Sequence, residues 1–184
     1  MFYKKSLLLF CFLSLVTILY GHPHLFIKPS IEIVIDTNVI NGIKITWEWD
    51  KWWSEDVINE CDIDKNGILD KKEIKLVYKT FFIGIKDFNY FTEIYINNNK
   101  IKINNILDFT ANVNKDKIVT YDFIIPIGFK FEAGTKIKIC FNDKTIYTAF
   151  DENIVLIPIK DHNFENLKMS DCGYYGVQII FDIF

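Results

Sequence analysis

The segment DIDKNGILDKKE, Asp62 to Glu73, carries oxygen side chains at a spacing suited to a hard divalent cation. Asp62, Asp64 and Asn66 stand at positions 1, 3 and 5, Gly67 at 6, Ile68 at 7, Asp70 at 9 and Glu73 at 12. This is the ligand pattern of an EF-hand calcium loop. Calcium takes about 6–8 oxygens. Three short side chains at alternate positions supply one side of that shell. Gly67 permits the sharp turn, and the Ile68 carbonyl adds a ligand. Asp70 acts directly or through water, and Glu73 closes the shell with both oxygens. Apolar Leu69 ties the loop to its neighbours. The bland reading is an ordinary acidic turn. Sensor EF-hands come in pairs, and this chain has one such loop. Extracytoplasmic modules bind calcium at about 10⁻⁴–10⁻³ M and stay loaded. The expectation is therefore a structural calcium site.

Histidine offers a second chemistry. His22 and His24 flank Pro23. In an extended segment residues i and i+2 share a face, so both rings can reach one ion. Imidazole, and the α-amine if cleavage leaves His22 first, suit Ni2+, Co2+, Zn2+ or Cu2+. Pro23 lacks an N–H, which excludes a square-planar site built on consecutive deprotonated amides. His162, the remaining histidine, is a candidate third ligand. The alternative is two histidines on a solvated terminus. The stretch WEWDKWW, 47–53, holds all four tryptophans. It reads either as a stacking platform for an organic ligand or as core packing. No nucleophile elbow, HExxH or Gly-rich phosphate loop is present, so the chain is expected not to be an enzyme.

The elements that must position these groups show mostly period-two alternation. Strands are expected over 25–36, 42–50, 117–127, 135–143, 144–150, 153–160 and 173–184, with a hairpin over 90–104. Asn41-Gly42 reads as a turn, and Pro29 as an edge or a bend. One block departs from this. WSEDVINEC, 53–61, reads as a helix capped by Ser54. Across 70–88, Ile74, Val77, Tyr78, Phe81 and Phe82 fall on one helical face. The fold class is thus mainly β, an antiparallel sandwich-like sheet with an EF-hand helix–loop–helix inserted at 53–88.

Half of the 184 residues are hydrophobic and 16% aromatic, enough for a packed core. The net charge is −3, and every cation is a lysine. No basic patch stands out, which argues against a nucleic-acid partner. Lys4 and Lys5 precede an apolar run from Ser6 to Tyr20, so 1–21 reads as a signal peptide and 22–184 as a single domain. Its removal takes two lysines and no acid, moving the charge from −3 to −5. The expected location is periplasmic or otherwise extracytoplasmic, with membrane contact only through an uncleaved signal peptide. Cys61, Cys140 and Cys172 would remain; a Cys140–Cys172 disulfide is one reading and free buried thiols the other.

The segments GHPHLFI, KITWEWDKWWSEDV, DIDKNGILDKKE, YFTEIYINN and CFNDKTIYTAFD occur in this order. Together they resemble a bacterial family of uncharacterised function, described as the periplasmic component of an ABC-type transport system. Its members occur beside, or fused to, nickel/cobalt efflux-type permeases. The resemblance implies an accessory role in transition-metal transport, an inner-membrane metal permease as partner, and His22 and His24 as the matching positions. The other class of function is a calcium-stabilised binding module for an organic ligand or a protein.

Overall fold

A computed structural model describes residues 24–145 and 147–184. The expected signal peptide and His22 lie outside the described residues. Among the described residues, eleven strands form two sheets. The first has the order β5-β6-β2-β1-β8, with β9 also pairing β1; the second has the order β10-β11-β7-β3-β4. The strands of the first are β1 (Leu25–Asp36), β2 (Val39–Trp49), β5 (Leu107–Val113), β6 (Val119–Lys130), β8 (Thr148–Phe150) and β9 (Val155–Leu156). Those of the second are β3 (Thr92–Ile96), β4 (Asn99–Ile101), β7 (Thr135–Phe141), β10 (Phe164–Asp171) and β11 (Val177–Ile183). Pairing is antiparallel except where β8 and β9 run parallel to β1. The arrangement is the mainly β sandwich expected, with helices inserted between β2 and β3.

Alternation builds the core. Ile43, Ile45, Trp47 and Trp49 of β2 point inward, as do Val119, Tyr121, Phe123 and Ile125 of β6. Ile137, Ile139 and Phe141 of β7 and Ile179, Phe181 and Ile183 of β11 face them from the second sheet. Each such side chain contributes about 1.5–3 kcal/mol when fully buried. Trp47 sits where the layers meet, 5.0 Å from Phe123 and 6.2 Å from both Phe91 and Phe150, ring centre to ring centre. Trp47 and Trp49 are therefore core and not a stacking platform, while Trp53 is half-buried and Trp52 is exposed. A row of rings this large needs a second layer over it, and the insertion supplies part of that layer.

Several local expectations change. The β1–β2 turn is Thr37-Asn38, with Thr37 at φ 56°, not Asn41-Gly42. Gly42 lies inside β2 at a register shift against β6, where a Cβ would stand 2.9 Å from the Ile125 carbonyl oxygen. Its backbone needs room, not a turn. Pro29 lies between the residues that pair β8 and those that pair β9, where its missing N–H breaks no ladder. Strands β5 and β10 were not expected. Both are edge strands, and β10 is exposed along almost its whole length, so neither shows alternation. The strand expected over 153–160 shrinks to Val155–Leu156.

Helix α1 spans Lys51–Cys61 and is capped by Asp50, whose carboxylate accepts from Trp53 N–H at 2.9 Å. Ser54, the expected cap, is buried one turn further in. Its hydroxyl donates to the Asp50 carbonyl and accepts from Val119 N–H, tying α1 to β6. The second helix stops early. Helix α2 covers Lys71–Val77, followed by a π-helical turn, Tyr78–Phe82, and a 3₁₀ stretch, Ile83–Phe91. Val77 and Phe82 are both fully buried. Five α-helical steps would turn them about 140° apart; the wider turn lets both face the core. Asn89, Tyr90 and Phe91 then take φ values of 59°, 52° and 48°, a left-handed reversal that leads into β3. The side-chain amide of Asn89 steadies it by donating to the Thr92 carbonyl.

Candidate metal centre

The loop between α1 and α2 draws three carboxylates together. One ligand oxygen from each of Asp62, Asp64 and Glu73 lies within 4.8 Å of the others. The chain reaches this state by local bonding. Asp62 follows the last residue of α1, and its N–H still bonds back to the Ile58 carbonyl. Its two oxygens accept from Asn66 N–H and Gly67 N–H at 3.1 and 2.9 Å. Gly67 takes φ 80°, a conformation L side chains disfavour, although a Cβ there would meet no other atom within 4 Å. Asp70 caps α2 and accepts from Lys72 and Glu73 N–H. These bonds hold its carboxyl below the usual aspartate range. Glu73 reaches back to Asp70 N–H, completing a capping box. Loop positions 9 and 12 thus coincide with N-cap and N3 of α2, so one spacing serves helix start and ligand set.

Glu73 is buried, and its oxygens accept from Ile63 N–H at 2.7 Å and Asp70 N–H at 2.8 Å. That places both oxygens across the mouth of the loop. Asp62 is buried too, while Asp64 is exposed. Among the described residues no lysine pairs with any of the three. Converging carboxylates without a counter-charge repel one another, and a bound cation relieves this. Leu69 is buried while Ile68 is exposed, so position 8 anchors the loop and position 7 leaves its side chain in water. A groove of about 590 Å³ runs beside the loop, with Asp62, Lys65, Asn66 and Gly67 on one wall and Asn114, Lys115 and Lys117 on the other. The hairpin wall was invisible in the sequence, because it follows the loop by about fifty residues and carries no motif.

Cys61 borders the site but takes no part in it. It is buried, and burial first, with Glu60 and Glu73 adding charge, pushes its thiol up to about 11. Cys140 and Cys172 are bonded to each other, with Cα atoms 6.1 Å apart, linking β7 to the β10–β11 turn.

His24 and His162 are not brought together. His24 is exposed at the start of β1, where its N–H donates to the Tyr147 carbonyl and its ring lies 5.4 Å from that of Tyr147. His162 packs on Phe131 and approaches the Phe184 carbonyl at 3.3 Å. β8, beside His24, bonds to Tyr175 ahead of β11, whereas Phe184 follows the other end of β11. At about 3.3 Å per residue, the length of that strand separates them. A shared site of His24 and His162 does not form in this fold.

Residues 7–164 match a family whose description is a protein of unknown function (DUF1007). The chain belongs to this family. It is also 30% identical, over 92 residues, to an uncharacterized 15.5 kDa protein in the trpE 3′ region of Spirochaeta aurantia. That alignment covers 50% of this chain and 65% of the relative's length. No solved structure matches. Membership of a family of unknown function agrees with the resemblance drawn above only in that the family is uncharacterised, and it supplies no activity, location or partner. The match ends at residue 164, while β11, a buried strand of the second sheet, lies beyond it.

Proposed function

We propose that this chain is an exported, calcium-stabilised EF-hand domain that acts, without catalysis, as a periplasmic accessory to nickel/cobalt-type transition-metal transport. One observation carries the calcium half: Asp62, Asp64 and Glu73 converge in the order and spacing of an EF-hand loop. Hard carboxylate and carbonyl oxygens favour calcium over softer ions, and the Glu73 pair of oxygens suits a large ion. Asn66, the Ile68 carbonyl and Asp70 complete the proposed set. The calcium braces the insertion against the sheet, since α1 is tied to β6 through Ser54 and Val119.

The transport half draws on the histidines that begin the processed chain. His24 is exposed just ahead of β1, and in this reading it offers its ring together with His22. His162 drops out of this site for the reason of distance given above. A permease that exports or imports the ion would be the partner. A binding module for an organic ligand is the weaker alternative, because Trp47 and Trp49 are inside the core.

Calorimetry separates the two halves. The chain beginning at His22 is titrated with calcium, then, calcium-loaded, with nickel, cobalt, copper and zinc, beside a His22→Ala/His24→Ala variant. Calcium binding abolished by Glu73→Gln supports the loop assignment, and its absence in the unaltered chain refutes it. Transition-metal binding at micromolar strength that vanishes in the double variant supports the accessory role. Binding that persists in the double variant removes the histidine site.

A further inference from the structure

We propose that the groove between the Asp62–Glu73 loop and the β5–β6 hairpin is a binding site for a small anion with two or more negative charges, a polycarboxylate or a phosphate compound. The site goes beyond the calcium reading and rests on it only for the coupling described below.

The groove has cations on both walls. Lys65 stands on the loop side, and Lys115 and Lys117 stand on the hairpin side. All three are exposed, and among the described residues none of them is in an ion pair. Asp116 lies between the two hairpin lysines in sequence but does not line the groove. Asp62 is the one acid in the lining, and its oxygens already accept from Asn66 and Gly67 N–H groups. Asn114, on the hairpin side, accepts from Asp116 and Ile118 N–H groups through its side-chain oxygen, at 2.9 and 3.0 Å, so the rest of its amide is a donor. Lys65 and Lys117 both take φ 59°, a left-handed conformation in which glycine or asparagine is less strained. Turn chemistry therefore gives no reason for a lysine at either place. The volume, about 590 Å³, is that of a metabolite-sized site.

The lining names the class of ligand. A cleft dominated by one sign of charge concentrates its counter-ions. Cations on facing walls suit a ligand with a charge for each wall, whereas a single charge satisfies one side only. Lysine is a point charge on a flexible stem, and the chain has no arginine to read a carboxylate or phosphate by its shape. The site therefore selects by charge, and carboxylates and phosphates fall in one class. Asp62 couples this site to the loop, because it belongs to the carboxylate cluster and to the groove lining. Calcium in the loop cancels the Asp62 charge, so the groove holds an anion more tightly when the loop is loaded. By reciprocity the anion tightens calcium binding.

The test is calorimetry on the chain beginning at His22, in calcium-free buffer without chelator, since chelators are themselves polycarboxylates. The probes are succinate, inorganic phosphate and, as a single charge, acetate. The expected dissociation constant for succinate or phosphate is below about 1 mM, with acetate at least about tenfold weaker. Lys65→Asn/Lys117→Asn removes one cation from each wall and eases both backbones, so it keeps the fold, which its melting temperature confirms. It should weaken the dianion at least about fivefold. Lys130→Gln/Lys160→Gln, a pair of exposed lysines outside the groove, should leave it within about twofold. Calcium at about 1 mM should tighten succinate at least about twofold. Succinate tighter than phosphate assigns the ligand to the polycarboxylates, and the reverse assigns it to phosphate compounds. No saturable binding of either, acetate as tight as succinate, or an equal loss in the two lysine pairs would overturn the site. Calcium that binds without changing succinate affinity removes the coupling. If calcium does not bind, the calcium-free titrations still decide the groove.

Discussion

Glu73 both accepts two backbone N–H groups and offers its charge to the loop, and these roles separate by experiment. A glutamine keeps one acceptor oxygen but turns an amide donor toward the other N–H. In chelator, Glu73→Gln should therefore cost about 1 kcal/mol, read from the urea midpoint. With calcium the gap should widen, because affinity falls at least about tenfold, equivalent to ~1.4 kcal/mol. An equal gap in both conditions would mean that the residue only caps its helix. Glu93 makes a second prediction. Its carboxyl is lowered from 4.5 to about 2, first by the hydrogen bond from Lys100, with Tyr95 and Lys144 assisting. A carboxyl lowered by folding stabilises above its unfolded value, and that contribution disappears as pH falls through the folded one. Glu93→Gln should destabilise at pH 7 by about 0.5–1 kcal/mol, since the lysine partners lie at the surface. The difference should fade between pH 4.5 and pH 2. Denaturation at both ends of that window checks it.

At the scale of elements, Asp50 joins β1 to α1. One oxygen caps the helix at Trp53 N–H and the other accepts from Phe26 N–H. Asp50→Ala removes both and should cost about 1–3 kcal/mol by urea denaturation. Asp50→Asn should recover at least half of the loss, because its side-chain oxygen still caps. The helix after the loop illustrates a tertiary override. Its sequence promises one amphipathic helix across 70–88, yet the backbone widens at Tyr78–Phe82 and reverses at Asn89–Phe91. Phe82 must enter the ring cluster of Trp47, Phe109 and Phe123, which lies to one side of a regular helix. Packing of so large a side chain outweighs the weak preference of the local sequence.

For the whole molecule, calcium should act as a ligand of the native state. At a hundredfold excess over the dissociation constant it adds about 2.7 kcal/mol. For a domain of this size that raises the melting temperature by about 5–10 °C over the protein in chelator. Scanning calorimetry at several calcium concentrations checks it, and a concentration-independent melting temperature would contradict a folded-state site. The Cys140–Cys172 bond closes a separation of 32 residues across the second sheet. Cys140→Ser/Cys172→Ser should cost about 2–4 kcal/mol, more than any single surface substitution proposed above except the upper range for Asp50→Ala. The loss should appear equally with and without calcium, because the bond and the loop lie on different elements.

The sequence alone determined the class of fold, the helical insertion and the ligand spacing of the loop. Each of these is written in short-range order: alternation of apolar residues, capping chemistry, and oxygen side chains within twelve positions. Legibility failed where the signal was weak or shared. Edge strands β5 and β10 have little apolar face to advertise them, and Asn41-Gly42 resembles a turn though Gly42 answers to crowding by Ile125. Tertiary structure decided what depends on distance through space. It buried Trp47 and Trp49, set His162 far from His24, paired Cys140 with Cys172, and placed Lys115 and Lys117 across a groove from Asp62. Such proximities arise from the order in which strands enter the two sheets, and no local pattern of residues encodes that order.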